Sequence, residues 1–291
     1  MIYNEYTDEI LKKLQQTELA ILKDFIELCD KHDIDYFGIG GTAIGAVRHK
    51  GIIPWDDDID IAMDRKNFEK FLKFAKKEYS DKYFIENYEN DSNFPLMTTR
   101  WVKKDTIFKE ECLKDIDYKN GIFLDLFCFD NVADDERKMK RQVLRAWFYG
   151  KLLVLYFVKK PTIYYYGFTA KLVLACCSIG HGALRLFHIS PNWLYKKAKQ
   201  YSTKYINEET KNMAFMFEPK PYQSLLSKED VFPTKEYQFN GLKVKFANNI
   251  DKLLTLRYGD YMTPPPEDKR HNHPPYELDF GADEKQEEKV N

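Results

Sequence analysis

Residues 36–63 read YFGIGGTAIGAVRHKGIIPWDDDIDIAM, and the order of residue types in that stretch sets the expectation for the whole chain. The pattern predicts a buried strand from Tyr36 to Ile39, the pair Gly40-Gly41, a short helical turn from Thr42, the basic tripeptide Arg48-His49-Lys50, a loop through Pro54, and a second strand. Side chains alternate faces along a strand, so Asp56, Asp58 and Asp60 are expected on one face, with Ile59 and Ile61 turned to the core. Carboxylates that close repel one another unless a cation stands between them. A hard divalent ion with oxygen ligands meets that need, and Mg²⁺ or Mn²⁺ is the expected cofactor.

The glycine pair supplies a second half to the same site. Without Cβ atoms, Gly40 and Gly41 let the backbone turn sharply and let a ligand come close. The turn opening at Thr42 offers free amides at the positive end of a helix dipole, which is a seat for phosphate. Arg48 could add a bidentate fork and Lys50 a point charge, with His49 between them. Phosphate on one side and metal on the other points to phosphoryl transfer from a nucleotide.

A second acid stands in an unusual setting. The run from Gly121 to Phe129, GIFLDLFCF, is apolar except for Asp125, and it reads as a buried strand. An unpartnered carboxylate there would cost roughly several kcal/mol. Asp125 therefore needs a cation; pairing with a core arginine or capping a turn are the bland alternatives.

The run GGTAIGAVRHKGIIPWDDDIDIAM resembles the signature of the LicD family, itself similar to the wider nucleotidyltransferase superfamily and to the fukutin group of sugar-phosphate transferases. RYGDYMTPPPEDKRHNH, beginning at Arg257, resembles that family's terminal motif. The resemblance covers both ends of the chain and leaves the middle unmatched. It implies an α+β fold, with a nucleotidyltransferase-like mixed β-sheet core flanked by helices, a helical insertion and a C-terminal extension. It places Asp125 as the third acid beside Asp58 and Asp60, all three catalytic and metal-binding. It also implies transfer of phosphocholine, or a related alcohol phosphate, from CDP-choline or another CDP-alcohol to a hydroxyl of a cell-surface glycan or lipid-linked glycan. Gly40, Gly41, Thr42, Arg48, His49, Lys50 and Arg270 are the expected substrate contacts, and Trp55 could stack beneath a quaternary ammonium or simply anchor its loop. Arg257, His271 and His273 could also meet donor phosphate or acceptor, although a His-x-His pair without a third ligand is weak evidence for metal.

Composition narrows the alternatives. In 291 residues, 45 basic side chains nearly balance 46 acidic ones, so no global field argues for nucleic acid as a partner. The five cysteines are odd in number and lack metal-ligand spacing, and no signal peptide is read at the start, so reduced thiols in the cytoplasm are expected. An EF-hand fails, because a loop starting at Asp56 would place Ile61 where glycine is needed and Asn67 where the bidentate glutamate is needed. A nucleotide-sugar glycosyltransferase with an Asp-x-Asp metal site, and a catalytically silent scaffold, remain as rivals.

Around this centre, helical periodicity predicts an amphipathic helix from Thr7 to Lys31 and another from Arg65 to Tyr79 capped by Asp64. Short strands are expected near 83–88, 97–103 and 106–108, a helix from Asp134 to Tyr149, another within 191–212, a hairpin from Phe239 to Phe246, and a short helix ending at Gly259. Arg100 and Lys103 read more readily as solvated edges than as phosphate ligands. The apolar middle section, Leu152 to Ile189, has its longest uncharged run from Leu172 to Leu184, too short to span a bilayer of ~20 residues. It reads as a packed helical insertion, or else as a peripheral membrane contact carrying Lys159, Lys160 and Lys171. The expected divisions are a catalytic core at 1–135, the insertion at 136–215, a segment closing over the cleft at 216–281, and a disordered tail at 282–291.

Overall fold

The fold is that of a computed structural model describing residues 6–161, 167–270 and 272–281. His271 and the tail at 282–291 lie outside the described residues. The chain opens with α1 (Asp8–Lys31), whose first turn is capped by the Thr7 hydroxyl accepting from the Ile10 amide at 3.3 Å. It continues through β1 (Phe37–Gly38), α2 (Gly40–Arg48), β2 (Asp60–Asp64) and α3 (Arg65–Glu78), which Asp64 caps. Strands β3 (Tyr83–Glu86), β4 (Thr99–Lys103), β5 (Ile107–Lys109) and β6 (Phe123–Asn131) follow. Three helices come next: α4 (Glu136–Phe157), α5 (Gly167–Leu186) and α6 (Pro191–Ser202). The chain then forms β7 (Asn212–Phe215), β8 (Ser224–Ser227), the single turn α7 (Lys228–Val231), the hairpin β9 (Lys235–Phe239) and β10 (Leu242–Phe246), α8 (Ile250–Tyr258) and β11 (Glu277–Asp279).

Nine strands make one mixed sheet, so the fold is α+β as expected. Its order is β3-β4-β6-β2-β1-β10-β9, with β7 and β8 extending from the end of β6 and β11 paired separately with β5. Strands β2 and β6 run parallel, as do β1 and β10, and the other pairs are antiparallel. The period-2 alternation decides what each face meets. On one face Ile61, Met63, Trp101, Leu124 and Leu126 pack under α1 and α3, against Phe25 and Phe71. Each fully buried Phe stabilises by roughly 1.5–3 kcal/mol. The opposite face carries Phe37, Ala62, Phe129 and Phe215. Asp60 and Asp125 belong to that second face.

Three expectations change. The second strand starts at Asp60, so Asp56 and Asp58 sit in the preceding loop rather than on a strand face. The cause is local: β1 is two residues long and offers no partner further back, and Gln15 Nε2 donates to the Asp56 carbonyl at 2.8 Å in place of a ladder bond. The helix expected within 191–212 stops at Ser202, and 212–215 forms a strand that returns to the sheet beside β6. Third, the apolar middle section is not packed away. Helix α4 runs on to Phe157 and α6 lies along it, joined at Leu153 and Leu194, but no described residue of α5 is buried. Gly167–Leu186 is long and apolar enough to cross a membrane by length and composition.

Candidate active site

The parallel register of β2 and β6 sets Asp60 directly beside Asp125. The same row continues across the sheet, with Asp125 opposite Arg100 on β4 and Arg100 opposite Glu86 on β3. Arg100 is not a solvated edge. It is 3% exposed, its Nε lies 3.2 Å from Asp125 Oδ1 and its Nη1 2.8 Å from Glu110, and its guanidinium lies 4.0 Å from the centre of the Phe123 ring. The core arginine left open as a partner for Asp125 is therefore present. It does not neutralise the group fully: burial still holds the Asp125 carboxyl above the usual range, against the pull of Arg100.

The glycines sit against the acids rather than across a pocket from them. A Cβ on Gly40 would lie 2.7 Å from Asp60 Oδ2, and one on Gly41 would collide with Asp56 Oδ2. Gly40 also takes a positive φ of 59°. The pair is thus required twice over, for the turn and for the space that two carboxylates occupy. Helix α2 begins here with no side-chain cap, so its first amides face the acid cluster uncovered. Thr42 is buried, and its hydroxyl accepts the Asp60 amide at 2.8 Å. That bond makes its side chain a fastener for β2.

The consecutive acids divide their tasks. Asp57 turns inward, accepting from the Tyr6 hydroxyl at 2.9 Å and the His273 amide at 2.8 Å, with the His273 ring 3.4 Å away. It clamps the C-terminal segment over the site. Asp57 also pushes the His273 imidazole up to about 9, placing a positive ring beside the acids. Asp56 and Asp58 remain partly open beside it; Asp56 adds to the negative charge that Asp58 meets, and both add to that around Asp60. Burial, reinforced by neighbouring acids, pushes Asp56 up to about 6 and raises Asp58 and Asp60 well above the ordinary carboxylate range.

Such a site is short of positive charge, and its oxygen donors suit a hard divalent cation. Among the described residues, no three His, Cys, Asp or Glu side chains already stand as a ligand set. Asp58, Asp60 and Asp125 thus fit a metal in donor chemistry, and closing on one requires their side chains to turn toward a common point.

Sequence patterns did not reveal two further acids. Glu18 of α1 is 3% exposed with one carboxylate oxygen unpartnered, and burial, reinforced by Asp58 and the neighbouring acids, raises its pKa well above the usual range. It sits among the apolar positions of an amphipathic helix, which is the one signal that could have marked it. Glu218 adds to the charge around Asp60 while pairing with Arg257 at 3.1 Å. Arg257 is therefore already engaged.

Arg48, His49, Trp55 and Arg270 form one cluster at the rim. Arg270 lies 4.3 Å over the Trp55 ring and Arg48 at 5.8 Å, with His49 edge-on at 6.0 Å. Burial and the neighbouring Arg270 lower the Arg48 pKa, while Asp56 raises it. Trp55 thus organises two guanidiniums rather than presenting a free face. Lys50 is exposed and makes no side-chain hydrogen bond or ion pair with any described residue, so the cluster does not include it. On the other side of Gly40, a cavity of about 260 Å³ is lined by Phe37, Phe129, Leu226, Leu254, Arg257 and Tyr258.

Residues 33–151 match the family model described as "LicD/FKTN/FKRP, nucleotidyltransferase domain". Along its length the chain is 28% identical to the lipopolysaccharide cholinephosphotransferase LicD of Haemophilus influenzae, over 272 residues covering 90% of this chain and 95% of that protein. Residues 33–151 are thus a LicD-type nucleotidyltransferase domain. The LicD domain holds every acid of the Asp60–Asp125 row, whereas Arg270 and His273 reach the site from beyond it. Shorter matches join the chain to uncharacterised Rickettsia proteins: 45% identity over 60 residues in R. typhi, covering 20% of this chain and 19% of that one, and 54% over 43 residues in R. prowazekii, covering 15% and 16%.

Proposed function

We propose that this protein, which carries a LicD-type domain, is a transferase that moves phosphocholine, or a related alcohol phosphate, from a CDP-alcohol to a sugar hydroxyl of a cell-surface glycan and releases CMP. Support for the phosphocholine class comes from the Haemophilus relative named as a lipopolysaccharide cholinephosphotransferase, matched over nearly the full length of both chains. The carrying observation within the fold is the contact of Gly40 and Gly41 with Asp60 and Asp56. A phosphate seated on the α2 amides must meet those carboxylates, and only a cation between them makes the encounter favourable. Asp58, Asp60 and Asp125 would hold Mg²⁺ or Mn²⁺, which when bound supplies positive charge to the donor phosphates.

The remaining steps belong to the chain's own groups. The free amides at the start of α2 bind donor phosphate, and Arg48 and Arg270, braced on Trp55, neutralise oxygens at the rim. The cavity beside Gly40 and Tyr258 gives the nucleoside an apolar wall. Arg100 holds one oxygen of Asp125, which leaves the other to take the proton from the incoming sugar hydroxyl. As the new bond from phosphorus to the sugar oxygen forms, the phosphorus–oxygen bond to CMP breaks, and CMP departs with the bonding pair.

The test is incubation of purified protein and Mg²⁺ with a panel of CDP-alcohols and candidate glycans. CMP release with a phosphocholine mass increment on the glycan is expected. Release of UDP or GDP from a nucleotide sugar would instead establish a glycosyltransferase.

A further inference from the structure

The near-zero net charge of the chain conceals two regions of opposite sign. From Arg137 to Asn207 there are fourteen Lys and Arg residues and not one Asp or Glu, leaving 31 basic against 46 acidic residues elsewhere. This basic stretch is the arm built from α4, α5 and α6. It also carries large apolar side chains that stand well out of the protein: Phe168 at 80% exposed, Phe187 and Leu186 at 73%, and Ile179 at 72%.

On α5 the exposed apolar residues are ordered. At about 3.6 residues per turn, Phe168, Leu172, Ile179 and Leu186 fall within roughly 40° of one another, forming one stripe along the helix. The other side of α5 makes the intramolecular contacts: Gly180 packs on Leu155, the His181 ring lies 2.8 Å from the Leu155 carbonyl, and Leu184 joins the cluster of Leu153 and Leu194. A helix packed on one side would ordinarily turn polar residues outward. Here the outward stripe is apolar, and the charges near it, Lys171 and Arg185, are basic. Exposed Lys159 and Lys160 continue the sign at the adjoining end of α4. Trp193 and Phe148, about half exposed, add aromatic groups suited to a headgroup layer.

We infer that the outward face of α5 and the basic surface of its arm dock on the surface of an anionic phospholipid bilayer. The stripe enters the boundary of the acyl chains while lysines and arginines meet lipid phosphates. Charge complementarity selects this occupant. Lys140 pairs with Glu136 and Lys199 with Glu89, but a second copy of the arm would still bring the remaining positive charges against their like, whereas an anionic surface attracts them at about 1 kcal/mol per basic residue close to the lipid. Apolar area and opposite charge together are what interfacial helices use, and neither requires the helix to cross the bilayer. Docking would hold the protein where a lipid-linked glycan is presented. The inference does not depend on turnover, so its failure and that of the proposed activity can be told apart.

The test is flotation of the full chain with vesicles of neutral phosphatidylcholine alone or mixed with phosphatidylglycerol. Expected is co-flotation with the mixed vesicles at low salt, falling at least tenfold in high salt. Binding should also fall at least tenfold in a Phe168→Ser, Ile179→Ser, Leu186→Ser variant, whose substituted positions are exposed and leave the fold intact. A second variant, Lys159→Ser, Lys160→Ser, Lys171→Ser, should lose affinity for mixed vesicles while keeping its melting temperature. Absence of flotation at low salt overturns the inference. So does equal binding to neutral vesicles, or a dimer in light scattering that the serine variant abolishes.

Discussion

The acid-bearing sheet and the basic arm handle charge by contrasting means. In the sheet, Glu86, Arg100, Asp125 and Asp60 lie in one row over four strands, and the single guanidinium in that row works for three carboxylates, Glu110 included. In the arm, positive charge accumulates with no acid from Arg137 to Asn207, beside apolar side chains of α5 that no described residue buries. The first arrangement is an internal balance left one or two positive charges short. The second is an imbalance displayed outward. Both describe an unmet need, one for a cation and one for an anionic surface, and each need can be tested by removing the charge that creates it.

The largest expected effect lies at the deficit itself. Asp60→Asn should lower turnover of a CDP-alcohol by roughly 10²–10³-fold or more, the scale of losing one well-placed electrostatic group. Burial and like-charge neighbours raise the Asp60 pKa, so the same change should leave the melting temperature in EDTA unchanged or higher. A drop in melting temperature without loss of turnover would make Asp60 a structural residue, and the internal deficit would lose its functional meaning. Arg100→Met tests the balancing side. Removing the only guanidinium of the row strands buried carboxylates and should cost about 3–5 kcal/mol in urea unfolding.

Glu86 offers a pH test of the same row. It is 2% exposed, and burial pushes its carboxyl up to about 8 despite Arg100. Between its ordinary value of 4.5 and about 8, the folded protein keeps a proton that the unfolded chain releases. The folded state thus binds more protons in that window, and stability falls as pH rises through it. Glu86→Gln should flatten this slope, so that at pH 8 the variant is more stable than the wild type by an amount on the order of 2 kcal/mol. An identical slope in both proteins would remove Glu86 from the charge account.

How far these features could be read in the sequence depends on their range. Local signals carried well: helical spacing marks α1, Asp64 caps α3, Asn240-Gly241 turns the hairpin, and the isolated Asp125 in an apolar run marks a strand that needs a positive partner. The pairing of Asp60 with Asp125 came through the family resemblance, since strand order leaves no mark on spacing. Pairings between distant strands were hidden for the same reason. Arg100 looked like an edge because nothing near it in sequence shows that β4 lies beside β6. The loop at Asp56 to Asp58 imitates strand alternation because the period is right, while the missing neighbour strand and the reach of Gln15 are tertiary facts. The arm was misjudged from the other direction. Its apolar composition matches a buried helix, and what makes α5 different is the surface left uncovered after α4 and α6 have packed together.

That distinction yields the smallest effect and the sharpest contrast. Leu126, fully buried between α3 and the sheet, should lose about 2–5 kcal/mol of stability on Leu126→Ala, the cost of vacating a packed site. Ile179 is equally apolar but 72% exposed, and Ile179→Ser should stay within about 0.5 kcal/mol of wild type in urea unfolding. A side chain that contributes nothing to folding yet presents apolar surface to water is a net burden on solubility, so the serine variant should also remain dispersed at higher protein concentration in light scattering. If Ile179→Ser destabilises as strongly as Leu126→Ala, then α5 is covered by this chain in solution, the stripe is part of an intramolecular core, and no surface is left for a membrane to meet.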